Sequence, residues 1–128
     1  DQNRLSLQLA ILHKHSGIAT FDQDVFINVV GGIKVSETAS DLVVMLAIVS
    51  SLRDKVIPSK WIAFGEVGLT GEVRPVYNSM ERLSEAQKQG FEVAIIPKGN
   101  APKKPIKGMK VVTVGYLYQA IQYLLENS

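Results

Sequence analysis

Few residues in this chain could do chemistry on their own. Cysteine is absent, which excludes a thiol nucleophile, a cysteine-held metal and a disulfide framework. The two histidines, His13 and His15, have no nearby carboxylates and make a poor metal set, so no metal site is expected. They flank Lys14 at the end of a helical pattern, where cations complement the helix dipole; a phosphate contact is the competing reading. The paired glycines Gly31 and Gly32 lack the spacing and the G-K-[ST] ending of a phosphate loop, so no nucleotide site is expected here. What remains is a place that could present a side chain. From Trp61 to Leu83 (WIAFGEVGLTGEVRPVYNSMERL) an apolar strand turns through Gly65, Gly68 and Gly71, returns as EVRPV, and enters a helix at Asn78. Asn78 followed by Glu81 is the N-x-x-E form of a capping box. The strand-to-helix junction over 75–79 is tight, and tight junctions display side chains well.

The elements around that junction follow from periodicity. Residues 4–15 (RLSLQLAILHKH) place Leu5, Leu9 and Leu12 at helical spacing, widened by Leu7 and Ile11, with Gly17 as a stop. Residues 24–35 alternate as a strand, with a bulge or kink at Gly31-Gly32. Residues 36–54 open on the capping types Ser36, Thr38 and Ser40 and continue as a helix that is apolar nearly all round, hence central. Beyond the junction, the helix carrying Met80, Leu83 and Ala86 predicts a one-sided surface helix ending at Gly90. EVAIIP over 92–97 and KVVTV over 110–114 read as strands, separated by a lysine- and proline-rich loop. Residues 116–126 form a last amphipathic helix with Leu117, Ala120, Ile121, Leu124 and Leu125 inward. At 128 residues, with 46% hydrophobic and 20% charged residues, the expectation is one α/β or α+β domain with a single core. The longest apolar run, 42–49, is too short to cross a bilayer, and the absence of cysteine fits a reducing, cytoplasmic compartment. A net charge of +2 permits a polyanionic partner without demanding one.

Two segments carry a resemblance. GEVGLTGEVRPV before a capped helix, and KVSETASDLVVMLAIVSSL upstream of it, resemble the Lon-type protease domain. That resemblance implies a mixed β-sheet with packed helices, of the ribosomal protein S5 domain 2-like kind. It also implies where catalysis would sit: a serine at the start of the helix matched by 39–52, and a lysine early in the helix after the hairpin, acting as its general base. The hairpin, anchored on Gly65, Glu66, Leu69, Gly71, Val73 and Pro75, puts the lysine position on Met80. The helix, anchored on Leu42, Ala47, Val49, Ser50 and Leu52, puts the serine position on Ala39. Alanine carries no nucleophile and methionine no titratable group, so no catalytic residue is expected. Met80 is expected to pack near Ala39. An active peptidase would have to use Ser40, about 100° further round the helix; Arg82 cannot serve as its base because it stays protonated.

Within that group, DQDVFINVVGGIKVSETASDL, SSLRDK, FGEVGLTGEVRPV and NAPKK are similar to the C-terminal domain of the RadA (Sms) family of bacterial DNA-repair proteins, across essentially all of 1–128. The resemblance implies a single domain from a larger RecA-like ATPase, a branch-migration helicase of recombination and transformation. Its ATP, magnesium and zinc would be bound outside these residues, and no cofactor is expected here. This domain would support a homo-hexameric ring and contact DNA without sequence preference, with a recombinase as a further partner and no membrane. The basic residues available for phosphate are Arg53, Lys55, Arg74, Arg82, Lys88, Lys103 and Lys104, each of which is also an ordinary surface type. A pure assembly platform without DNA contact is the third reading.

Overall fold

In a computed structural model, the described residues are 38–128 together with Leu7, Gln8, Ala10, Ile11 and Lys14. The strand expected over 24–35 with its Gly31-Gly32 bulge, the Ser36 cap, His13, His15 and the Gly17 stop lie outside them.

A 3-10 turn at Thr38–Ser40 leads into α1 (Asp41–Leu52). There follow β1 (Trp61–Ala63), β2 (Glu66–Val67), β3 (Val73–Arg74), α2 (Ser79–Lys88), β4 (Val93–Pro97), a second 3-10 turn (Lys98–Asn100), β5 (Lys110–Val114) and α3 (Leu117–Asn127). The class is mixed α/β. Strands β1, β4 and β5 form a parallel sheet in the order β1-β4-β5, and β2 and β3 form a separate antiparallel pair.

This arrangement corrects one expectation. WIAF is not the first strand of the hairpin: Trp61–Ala63 pairs in parallel with Val93–Ile95, and the hairpin is only Glu66–Val67 against Val73–Arg74. Gly65 separates the two roles. Its φ is +154°, and a Cβ there would sit 2.9 Å from Val73 Cγ1 and 3.3 Å from the Pro97 ring. Only glycine lets the chain leave one sheet and enter the other at this spot.

The sheet has helices on both faces. Side chains alternate along β4, so Val93 and Ile95 join Leu42, Met45, Ile48, Leu117 and Leu124 on the α1/α3 side, whereas Ala94 and Ile96 meet Phe64, Leu83 and Ala86 on the α2 side. Burial on both faces is why VAIIP reads as one continuous apolar run. Helix α1 is buried almost all round, as its composition predicts. Ile11 packs into the same core, but Leu7, placed on the inward stripe by periodicity, is 40% exposed, and Gln8 takes a buried position instead.

Helix ends also depart from the sequence reading. Asn78 occupies the N-cap position of α2 in the left-handed region, with φ 59° and ψ 35°, and its side chain makes no capping bond. In that backbone geometry its oxygen cannot reach back over the first turn, so the N-x-x-E box does not form. The C-terminal glycine does form its cap: Gly90 has φ +88°, with Phe91 N bonded to Ala86 O at 3.0 Å and Gly90 N to Gln87 O at 3.1 Å. The same pattern closes α1 without glycine, Asp54 taking φ 52° and Lys55 N donating to Ser50 O at 3.0 Å.

Candidate nucleic-acid interface

The junction singled out by the sequence is built by backbone bonds rather than by a reactive pair. Gly65 N donates to Ala39 O at 2.9 Å, and Leu42 N donates to Gly65 O at 3.0 Å, fixing the start of α1 against the strand. Ala39 is buried at 6% exposure, whereas Met80 is 53% exposed on α2. The expectation that Met80 packs into a remnant pocket with Ala39 is therefore corrected: Met80 points to the surface. Its helix buries Leu83 and Ala86, whereas Met80, one turn earlier in the first turn, stays exposed. Ser40 is half-buried at the N-cap of α1 and makes no side-chain capping bond.

Two residues that sequence reasoning missed hold this corner together. Asp41 is 1% exposed, and its carboxylate accepts from Gln8 Nε2 at 2.9 Å and from the Val67 backbone N–H at 3.0 Å. It ties the N-terminal helical residues, α1 and the hairpin through one side chain. An aspartate in a first helical turn ordinarily faces water near the positive dipole end, so nothing in the sequence marked it as buried. Asn100 is the second. Its Oδ1 accepts from Val76 N at 2.8 Å and its Nδ2 donates to Val76 O at 3.2 Å, so it pairs with the backbone like a strand neighbour. Beside it, a Cβ on Gly99 would lie 2.4 Å from Pro75 Cγ.

The seven basic candidates fall into different surroundings. Arg74 is committed: its guanidinium meets Glu66 at 3.2 Å and Glu72 at 3.0 Å, an arrangement with two carboxylates to one cation. Glu72 is held down to about 2 from an ordinary 4.5, first by the Thr70 hydroxyl and also by Arg74, and Arg74 is raised in turn by Glu72 and Glu66. Arg82 donates from Nε to Tyr77 O at 3.2 Å and lies 5.9 Å from the Phe64 ring centre. Arg53 and Lys55 are exposed on either side of the Asp54 turn, and Lys88 is exposed in the last turn of α2. Lys103 and Lys104 are exposed and brought together on one cleft of about 340 Å³ beside β5. The hairpin rim is thus acidic or neutral, and the β4–β5 crossover is basic.

Among the described residues, no group of three or more His, Cys, Asp or Glu could hold a metal ion, and no helix is long and apolar enough to cross a membrane.

The chain belongs to the family described as "Subunit ChlI of Mg-chelatase", whose model matches residues 4–100. Among individual proteins it is homologous to bacterial DNA repair proteins called RadA. It is 59% identical to the one from Pseudomonas aeruginosa over 126 residues, which is 98% of this chain and 28% of that protein. It is 54% identical to the Escherichia coli protein over 121 residues, 94% of this chain and 26% of that protein. With the Mycobacterium tuberculosis protein the identity is 34% over 125 residues, 98% of this chain and 26% of that protein. The chain therefore spans little more than a quarter of the length of these curated relatives.

Proposed function

We propose that this chain is a Lon-protease-like domain that has no proteolytic activity and serves a DNA repair protein by supporting a homo-hexameric ring and contacting DNA without reading its sequence. The observation that carries the reading is the pairing of homology to RadA proteins with the state of the two dyad positions. Buried Ala39 and exposed Met80 supply neither nucleophile nor base. On this reading ATP, magnesium and zinc belong to other parts of a larger protein, a branch-migration ATPase, and DNA contact implies a cytoplasmic location.

Phosphate contacts come from Arg53, Lys55, Arg74, Arg82, Lys88, Lys103 and Lys104 acting as a group, with Arg74 contributing least because Glu66 and Glu72 already neutralise it. Ring contacts have material in the exposed aromatic pair Tyr116 and Tyr118, stacked at 5.9 Å, beside the hairpin turn that bonds Gly71 O to Leu117 N at 2.8 Å. A casein digestion assay tests the loss of proteolysis. No cleavage is expected; cleavage abolished by Ser40→Ala would establish the peptidase reading instead.

A further inference from the structure

We propose that the cleft between the 101–106 loop and β5 is a docking site for an extended acidic peptide segment with apolar side chains, contributed by a protein partner. The crossover from β4 to β5 joins adjacent parallel strands without a helix, so residues 98–109 must loop around the sheet margin. Helix α2 packs over Ala94 and Ile96, and Val111 of β5, the end strand of the described sheet, sits at the margin of that cluster with Ile106 of this loop. The result is an open cleft of about 340 Å³, lined by Pro102, Ile106, Val111 and Thr113 with Lys103 and Lys104. Val111 and Thr113 are two residues apart on one strand and so share a face. A cleft walled by successive same-face residues of one strand suits an extended occupant.

Charge selects the occupant. From 93 to 125 the chain carries five lysines and no aspartate or glutamate, whereas the rest carries nine cations against twelve acids. Lys98, Lys103, Lys104 and Lys107 are all exposed, and none has a carboxylate partner among the described residues. Among the described residues, the margin of this cleft is therefore positive. A nucleic acid fits the charge but not the lining. Among the described residues no aromatic ring lines the cleft to stack a base, and a phosphate backbone gains nothing from proline and isoleucine. A peptide that alternates carboxylates with apolar side chains satisfies both features, as in edge-strand recognition. This inference does not rest on the DNA-binding reading.

The test uses the full chain and a short labelled peptide alternating aspartate with leucine, followed by fluorescence anisotropy. Polyaspartate and duplex DNA are titrated in parallel. Saturable binding of the alternating peptide is expected, weakening with salt. Thr113→Phe fills the cleft from an exposed position on a strand that tolerates aromatics. It should weaken the alternating peptide about tenfold or more, equivalent to about 1.4 kcal/mol, while leaving duplex binding unchanged. Lys103→Gln/Lys104→Gln should weaken the peptide about three- to tenfold. Equal binding of polyaspartate, or an alternating peptide indifferent to Thr113→Phe, would overturn the proposal. No binding of the alternating peptide would overturn it too, and duplex binding weakened by Thr113→Phe would assign the cleft to phosphate instead.

Discussion

Asp41 decides more of the local structure than Ala39 or Met80. Its two oxygens answer a buried amide side chain and a strand N–H, and Gln8 Oε1 beside it has no hydrogen-bond partner among the described residues. Asp41→Ala leaves the Val67 N–H and the Gln8 amide unanswered in the interior. The expected loss of stability is about 3 kcal/mol or more in urea unfolding, since each bond to a charged group contributes about 1.5–3 kcal/mol. Glu72 offers a second residue-scale prediction. Its pKa is depressed to about 2 from 4.5, so the stability it contributes is fully present above pH 4.5 and is lost as pH falls towards 2. The Thr70 hydroxyl, 2.7 Å from Glu72 Oε1, is the largest cause. Thr70→Val should therefore raise the Glu72 pKa in an NMR titration, and an unchanged value would refute the assignment. Neither role was legible in the sequence. Burial of Asp41 depends on Gln8, and the Glu72 cluster depends on hairpin register; both are tertiary facts.

At the scale of elements, the strands and helices from residue 38 onward were largely readable. Capping types before an all-round apolar run marked α1, period 3.6 marked α3, the apolar run marked β4, and Gly90 marked the end of α2. Pairing was not readable. WIAF and EVRPV sit close in sequence with glycines between them, which suggests one hairpin, yet Gly65 hands Trp61–Ala63 to β4 instead. Asn78 failed as a cap because cap preference assumes an extended backbone, and this residue is left-handed. The two glycines should respond differently to alanine. Gly90→Ala meets only a positive φ and the Lys60 ammonium at 3.8 Å, and should cost about 1 kcal/mol. Gly65→Ala adds a Cβ 2.9 Å from Val73 in a packed junction, and should cost about 2–3 kcal/mol. Thermal unfolding of both variants checks the order; equal losses would mean that the junction relaxes freely.

Across the whole molecule, the informative feature is the separation of charge. A net +2 looks unremarkable, but the basic loop and the acidic-to-neutral hairpin rim lie in different places. The sequence supplied the lysines, and the structure shows that Arg74 is already neutralised by its neighbours. Arg74→Ala should accordingly change duplex affinity less than Lys103→Ala/Lys104→Ala, which should reduce the slope of log affinity against log salt by about two. The most direct test of the account is a duplex-DNA titration of the chain at two salt concentrations, with its mass measured by light scattering in the same buffer, since a ring multiplies modest contacts. The account predicts binding at low salt that falls steeply at high salt and is the same for unrelated sequences. No binding at low salt by the assembled chain would contradict it and leave a platform without nucleic-acid contact.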